Sequence, residues 1–243
     1  MLGFKVKSKY GVVIIGLASI IVILIGVNIW LYYNSIPVTN NTKAFNVTLS
    51  DWTARWWKWA FSFSGYYNNP LLDPNGTSVM KFQPPNQPVF FLSGAYNSVG
   101  NRTVTISADK GILFPVLNGE ISFLDLPNAT NQADLKKALD SDIAAATYIG
   151  AELDGKEIQF QRIHAPLFDI NYAKDNILST NKSGPTQAVS DGYWVYLAPN
   201  TIPVGEHILH IKGEQPFYRS EVTYKLSIQV QSNGTTMLTE LKK

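Results

Sequence analysis

The sequence predicts a mainly β body with two short α-helices, attached to one N-terminal transmembrane helix. An uncharged apolar run occupies residues 10–33, and short apolar or alternating segments divided by glycine, asparagine and proline fill most of residues 88–230. Only two stretches of the remaining chain, 50–63 and 130–146, have helical spacing. Several short strands with regular turns favour a β-sandwich of immunoglobulin-like or jelly-roll type.

The apolar run at 10–33 is long enough to cross a bilayer. A helix of this length covers about 36 Å, and the hydrocarbon core is about 30 Å thick. Three lysines precede the run and no basic residue follows it until Lys43. The positive-inside rule therefore predicts a single-pass plasma-membrane protein with residues 1–9 in the cytoplasm and the body outside. The alternative is a cleaved signal peptide, which usually has a shorter apolar region and ends in small residues.

The exported portion divides into a linker and a body. Residues 34–48 are polar and asparagine-rich, which is typical of a linker. The body is predicted in two parts, 49–147 with a tryptophan-rich helix, strands and a second helix, and 148–243 as the C-terminal β-sandwich part.

Asparagine sequons are spread along the whole exported portion. An Asn-x-Ser/Thr pattern recurs by chance in polar loops, but this density favours a glycosylated extracellular surface. The candidate glycosylation sites are Asn40, Asn46, Asn75, Asn101, Asn128, Asn181 and Asn233.

Composition excludes several classes of function. The chain has no cysteine, so disulfides, iron–sulfur clusters and thiol nucleophiles are excluded. A net charge of +2 with 16% charged residues gives no basic field for nucleic acid. We expect no cofactor and no bound metal.

The first predicted helix carries a stripe of aromatic rings. Ser50 is the expected N-cap and Asp51 the acid of the first turn, and Gly65 is expected to end the helix. Three rings, those of Trp52, Trp56 and Trp59, fall on one face at helical spacing. They either fill the core or form an exposed ligand-binding surface, a stacking platform for a sugar or a ledge on the bilayer.

The second helix and the later strands are predicted from caps and turns. Thr130 is the expected N-cap of a helix that buries Leu135, Leu139, Ile143 and Ala146 before Gly150 ends it. Asp154-Gly155 is typical of a tight hairpin, and Asp191-Gly192 is expected to open a strand over 193–197.

The three histidines give only a weak metal pattern. His207 and His210 are three residues apart on a predicted strand, so their side chains point to opposite faces. His164 is the remaining candidate, and Glu206 or Asp169 would have to complete its site.

The segment beginning at Asp73 resembles the start of a calcium loop. The twelfth position of that loop is Pro84 instead of a bidentate acid, so an EF-hand is excluded. A looser calcium site remains open, but an Asx turn in which Asp73 caps its own backbone is preferred.

No catalytic motif of a hydrolase or a nucleotide-binding enzyme is present. The chain has no Gly-x-Ser-x-Gly, no His-Glu-x-x-His and no phosphate-binding glycine loop. Asp73, Asp109, Glu120 and Asp125 lie near predicted strand ends, where two of them could pair as the acid and base of a glycosidase.

Several motifs together resemble a family of uncharacterised exported microbial proteins. They are Arg55-Trp56-Trp57-Lys58-Trp59-Ala60, Asn69-Pro70-Leu71-Leu72-Asp73, Val89-Phe90-Phe91-Leu92-Ser93-Gly94, Leu113-Phe114-Pro115-Val116-Leu117-Asn118, Asp191-Gly192-Tyr193-Trp194 and the turn Gly205-Glu206-His207. The similarity covers most of residues 50–215. The family has no assigned activity and its members often carry cysteines and a signal peptide, so the resemblance implies export and a shared fold and transfers no catalytic residue.

The functional expectation is a binding or structural role at the cell envelope. Partners are the lipid bilayer through residues 10–33 and another envelope component: a membrane complex, a surface-layer subunit or a glycan. The alternative is a membrane-anchored carbohydrate-active hydrolase that uses loop carboxylates.

Overall fold

The computed structural model describes residues 43–64, 69–177 and 182–230. No helix in these ranges is long and apolar enough to cross a membrane. The predicted cytoplasmic segment 1–9, the predicted span 10–33 and most of the linker lie outside them.

The described residues form three helices and eleven strands. The helices are α1 (Leu49–Phe61), α2 (Thr77–Lys81) and α3 (Gln132–Ala144). The strands are β1 (Lys43–Ala44), β2 (Val47–Thr48), β3 (Val89–Phe91), β4 (Ser98–Ser107), β5 (Gly111–Ser122), β6 (Tyr148–Leu153), β7 (Lys156–Glu157), β8 (Gln161–Tyr172), β9 (Gly184–Leu197), β10 (Gly205–Gln215) and β11 (Tyr218–Gln229). The mainly β prediction is confirmed, and the one-turn helix α2 is an addition to the two helices that were expected.

Two large sheets make up the body. One has the strand order β4-β11-β10-β6-β7 and the other β3-β5-β9-β8, while β1 and β2 form a small hairpin. Each large sheet takes strands from both sides of residue 147, so the predicted parts 49–147 and 148–243 share both sheets. The pairs β4/β11 and β3/β5 are parallel, unlike the antiparallel neighbours that fill most immunoglobulin-like and jelly-roll sheets.

The four-stranded sheet has apolar side chains on both faces. On β5, Ile112, Phe114 and Val116 belong to the core shared with the five-stranded sheet. Leu113, one position out of phase, belongs to a second core that contains the rings of α1. Successive residues of β5 thus serve two cores, which explains why this strand is an apolar run without polar alternation.

The tryptophans predicted to form a stripe on α1 are core residues. Trp52, Trp56 and Trp59 are only 2%, 0% and 4% exposed. Their indole N–H groups donate to the carbonyls of Ala44, Leu92 and Phe82, respectively, at 2.7 to 2.9 Å. A stacking platform or a bilayer ledge requires exposed rings, so of the two interpretations the structure supports packing.

The boundaries of α1 differ from the sequence expectation by a few residues. Thr48 is the N-cap, and its Oγ1 accepts a hydrogen bond from the Asp51 N–H at 3.0 Å. Ser50, the expected cap, lies inside the helix, where its hydroxyl donates to the His164 carbonyl at 2.8 Å. The helix ends at Phe61, before Gly65.

Helix α3 begins one residue later and ends earlier than expected. Its N-cap is Asn131, whose Oδ1 accepts from the backbone N–H groups of the next turn. The expected burial of Leu135, Leu139 and Ile143 is confirmed, whereas Ala146 lies beyond the helix end at Ala144 and is half-buried. Gly150 does not end the helix, because it lies in β6.

Glycine determines two local features of the later strands. Asp154 and Gly155 both have positive φ, 52° and 72°, and form the predicted hairpin between β6 and β7. Gly192 does not open a strand but lies inside β9. A Cβ at Gly192 would lie 2.6 Å from the Leu117 carbonyl oxygen, so the close approach of β9 to β5 requires glycine there.

A buried arginine joins two of the sequence motifs. Arg102, 2% exposed, donates hydrogen bonds to the carbonyls of Leu71, Asp73, Ser93 and Gly94 and to the hydroxyls of Ser93 and Tyr224. The 69–73 and 89–94 motifs therefore present backbone oxygens to one guanidinium. Around Arg102, these two motifs therefore have a structural role.

Candidate ligand-binding site

A cavity of about 730 Å³ lies between helix α1, helix α3 and the turn between β10 and β11. Its apolar wall is made mainly of aromatic rings, with aliphatic side chains from the loops. Those residues are Trp57, Phe61, Leu71, Tyr96, Ile177, Phe217 and Tyr218. The polar lining residues include Asn118, Glu120 and Asp125, which lie close together. A cavity of this size with apolar walls and a few converging polar groups is typical of small-molecule sites.

Two carboxyl groups meet at one tyrosine hydroxyl beside this cavity. Glu120 lies on β5, Asp125 follows the same strand, and Tyr172 is the last residue of β8. The Tyr172 hydroxyl oxygen is 2.8 and 2.9 Å from the two Glu120 carboxyl oxygens and 2.8 Å from Asp125 Oδ2. Tyr172 is buried, and its ring stacks on Phe61 of α1.

Counting protons shows that one of the two carboxyl groups is neutral. A tyrosine hydroxyl has one proton, so it can donate to only one of the two carboxyl groups that it contacts. The other short contact needs a proton on the carboxyl group itself. The arrangement that fits is Glu120 protonated and donating to Tyr172, with Tyr172 donating to an ionised Asp125.

The two carboxyl groups have opposite pKa shifts, in agreement with that assignment. Burial raises the pKa of Glu120 from 4.5 to about 8, with the Tyr172 hydrogen bond opposing the shift and the nearby Asp125 charge adding to it. Burial alone would also raise the pKa of Asp125, but hydrogen bonds from Ser122, Tyr172 and Lys182 outweigh it and the pKa is lowered. The pKa of Tyr172 is raised by burial and by the Glu120 charge, so its hydroxyl stays protonated.

Asp125 is held firmly by its donors. Ser122 donates to Oδ2 through its backbone N–H at 3.0 Å and its hydroxyl at 2.6 Å. Lys182 reaches Oδ1 at 3.2 Å. The Asp125 carboxylate is therefore fixed in position, while Glu120 is the group that can gain or lose a proton.

The lining also contains two buried donors without a protein acceptor. Trp57 Nε1 and Asn118 Nδ2 make no hydrogen bond within the described part of the chain. Trp57 is 8% exposed, and an unpaired N–H at such a position is costly unless a ligand or water accepts from it. Both donors are therefore available to an oxygen-rich ligand.

The mouth of the cavity is formed by the turn between β10 and β11. Gln215 donates to the Asp142 carbonyl at 2.5 Å and so joins this turn to α3. Phe217 at the tip is 97% exposed. An apolar ring that is fully open to solvent beside an apolar cavity can pack against whatever enters.

Of the four carboxylates singled out in the sequence, two lie together and the other two lie elsewhere, apart from each other. Glu120 and Asp125 come together at Tyr172, as one of the possible pairs. Asp73 is buried and accepts from the backbone N–H groups of Asn75, Gly76 and Val79, which confirms the Asx-type turn. Asp109 is exposed in the turn between β4 and β5 and lines no described cavity.

The histidines do not form a common site. His207 lies 2.7 Å from Asp154 Oδ2, and His210 lies 3.2 Å from Glu221 Oε1, so the two have different partners as their spacing predicted. Neither Glu206 nor Asp169 joins His164, whose acidic neighbours are Asp140 and Asp191.

Four of the candidate glycosylation sites are described by the structure. Asn46, Asn75, Asn101 and Asn128 are all exposed, which glycan attachment requires. Asn40, Asn181 and Asn233 lie outside the described residues.

No protein-family model, no curated protein and no solved structure matches this chain. The resemblance to exported microbial proteins therefore remains a prediction, and the argument about function depends on the site itself.

Sequence reasoning missed Tyr172 and Trp57 as parts of a site. Trp57 lies off the aromatic stripe predicted for the first helix, and no motif pointed to Tyr172. A polar signal was present in Ser122-x-x-Asp125 directly after a strand, a spacing at which a hydroxyl and a carboxylate bond one another.

Proposed function

We propose that this protein is a single-pass, membrane-anchored envelope protein that binds a glycan in the cavity above Glu120. Residues 10–33 form its anchor, its N-terminus is cytoplasmic, and its body, a sandwich related to immunoglobulin-like or jelly-roll folds, is extracellular and glycosylated. Another envelope protein, such as a membrane-complex or surface-layer subunit, would carry the glycan.

The observation that carries the proposal is the pairing of aromatic walls with a fixed polar corner. Sugar rings present apolar C–H faces that pack on flat aromatic rings and hydroxyls that need both donors and acceptors. The cavity offers acceptors at Glu120 and Asp125, and donors at Trp57 and Asn118 that have no acceptor among the described residues.

Binding can be tested on the full-length protein in detergent with an array of neutral and acidic saccharides. We expect saturable binding that Glu120→Gln weakens, since an amide N–H₂ replaces one of the two carboxyl oxygens that can accept from a sugar hydroxyl. Glu152→Gln is the matched control, because Glu152 is exposed on β6, away from the cavity. Binding to no saccharide, or equal binding by all three proteins, would contradict the proposal.

Phe217 gives a second test, because a substitution at this exposed position should not disturb folding. Phe217→Ala should weaken saccharide binding, whereas Phe45→Ala, an exposed phenylalanine in the β1–β2 hairpin, should not. Unchanged affinity in Phe217→Ala would remove the turn from the site.

Glycoside hydrolysis is the second candidate function, and the unequal carboxyl pair favours it. Both carboxyl groups contact the Tyr172 hydroxyl at 2.8 Å, so their nearest oxygens are at most twice that distance apart. This upper limit is close to the separation of about 5 to 5.5 Å between the two carboxyl groups of retaining glycosidases. Glu120, neutral near pH 7, would protonate the leaving oxygen. Turnover of a saccharide that Glu120→Gln abolishes would support it; binding without turnover would leave the binding function alone.

A further inference from the structure

A second cleft, of about 230 Å³, lies on another side of helix α3, where the helix meets strands β8 and β9. It contains Asp140 from the helix, His164 from β8 and Asp191 from β9. The helix residues that line the first cavity include Ala138, Ser141 and Asp142, so the two clefts use different faces of the helix.

Three ligand atoms of metal-binding type converge in this cleft. One ligand atom from each of Asp140, His164 and Asp191 lies within 4.8 Å of the other two. His164 Nδ1 is 3.2 Å from Asp191 Oδ1 and 3.8 Å from Asp140 Oδ1. Such separations are close to those between ligands around one ion with bonds of about 2.0 to 2.2 Å.

One of these ligand atoms has no hydrogen-bond partner in the described part of the chain. It is Asp140 Oδ1, the oxygen nearest to His164. Buried polar atoms are rarely left unpaired, so this oxygen is available to an ion or to a water bound to one.

Neighbouring cations contact both carboxylates: Arg162 Nε lies 3.1 Å from Asp191 Oδ1, and Arg162 Nη2 lies 3.8 Å from Asp140 Oδ1. Lys136 contacts Asp140 Oδ2 at 2.6 Å, and the Arg162 guanidinium is closest to Asp191 Oδ2, at 2.5 Å. The Gly192 N–H donates to Asp191 Oδ1 at 2.7 Å. These contacts fix the orientation of the two carboxylates, while the positive charge of Lys136 and Arg162 limits the affinity for a cation.

We propose that Asp140, His164 and Asp191 form a binding site for a divalent transition-metal ion, with Zn²⁺ the best fit. One imidazole and two carboxylates are three protein ligands, and a water would be the fourth. The imidazole favours a transition metal over Ca²⁺, which prefers oxygen ligands throughout. The ion would join α3 to the four-stranded sheet. This site is independent of the proposed glycan cavity.

Calorimetric titration of the chelator-treated full-length protein with ZnCl₂ tests the site. We expect one equivalent to bind, and His164→Ala and Asp140→Asn each to lower the affinity by at least about tenfold. His210→Ala is the matched control, because His210 also lies beside a carboxylate, and it should leave the titration unchanged. Both site residues are substantially exposed, and a thermal melt without metal verifies that each variant folds.

Visible absorption after addition of Co²⁺ gives a readout that depends on coordination. We expect d–d bands in the wild-type protein and in His210→Ala, and none in His164→Ala. No Zn²⁺ binding by the wild-type protein, equal affinity in His164→Ala, or binding of Ca²⁺ alone would each overturn the proposal.

Discussion

Glu120→Gln is expected to remove a pH-dependent loss of stability that the wild-type protein has between pH 5 and 9. The substitution keeps the size of the side chain and, in the amide N–H₂, a donor that can bond the Tyr172 oxygen. It removes the one group beside the cavity whose pKa is raised to about 8.

The sign follows from linkage between ionisation and folding. The unfolded chain loses the Glu120 proton near 4.5, whereas the folded protein holds it until about 8. Rising pH therefore favours the unfolded state over this window, and the loss is complete above the folded-state pKa. The stability associated with the neutral carboxyl group is fully present only below pH 4.5.

The size of the stability loss follows from the difference between the pKa of Glu120 in the folded and the unfolded protein. One pKa unit corresponds to about 1.36 kcal/mol, so the full shift sets an upper limit of about 5 kcal/mol, and about 4 kcal/mol is already lost at pH 7.5. Because Glu120 is partly exposed and solvent screens its charge, we expect about 2 to 4 kcal/mol.

Urea unfolding followed by tryptophan fluorescence at pH 5, 6, 7, 8 and 9 measures the difference. The free energy of unfolding of the wild-type protein should fall relative to that of Glu120→Gln as pH rises, with equal m-values in the two proteins. Glu152→Gln should follow the wild-type curve. Parallel curves for wild-type and Glu120→Gln would refute both the raised pKa and the proton assignment at Tyr172.

Three further substitutions test the packing that positions the site. Trp56→Ala should lower the free energy of unfolding by about 3 to 5 kcal/mol or prevent folding, whereas Lys58→Ala on the exposed side of α1 should change it little, as measured by chemical denaturation. Arg102→Lys should lose at least about 2 kcal/mol in the same assay, since an ammonium group cannot reach all the oxygens that the guanidinium satisfies. Gly192→Ala should lower the thermal midpoint more than Gly155→Ala, because its Cβ would meet the backbone of β5 while the Cβ at 155 would have no atom within 4 Å. A small loss in Trp56→Ala, a neutral Arg102→Lys or a reversed order of the glycine variants would contradict the corresponding packing argument.

Local patterns predicted the elements well and their boundaries less well. The aromatic stripe of α1, the buried face of α3 and the Asp154-Gly155 hairpin are set by residues within one or two turns of each other. The caps at Thr48 and Asn131 differ from the expected Ser50 and Thr130 because neighbouring polar residues compete for the same backbone N–H groups.

The candidate site could be predicted only in part. Glu120 and Asp125 were recognised as acids near strand ends, and they are five residues apart in the chain. Tyr172 joins them across 52 residues of sequence, through the antiparallel pairing of β8 with β9 and β9 with β5. Sequence spacing carries no information about that register.

The sequence by itself determined which side chains share a face of each element, because helix and strand periods are fixed by backbone geometry. The tertiary structure decided which of those faces meet. The aromatic residues were visible from the start, yet only packing placed Trp56 in the core and Trp57 beside a cavity. The long apolar run and the sequons determined the expectation of an anchored, exported protein. The pairing of distant strands determined where Glu120, Tyr172 and Asp125 come within hydrogen-bond distance.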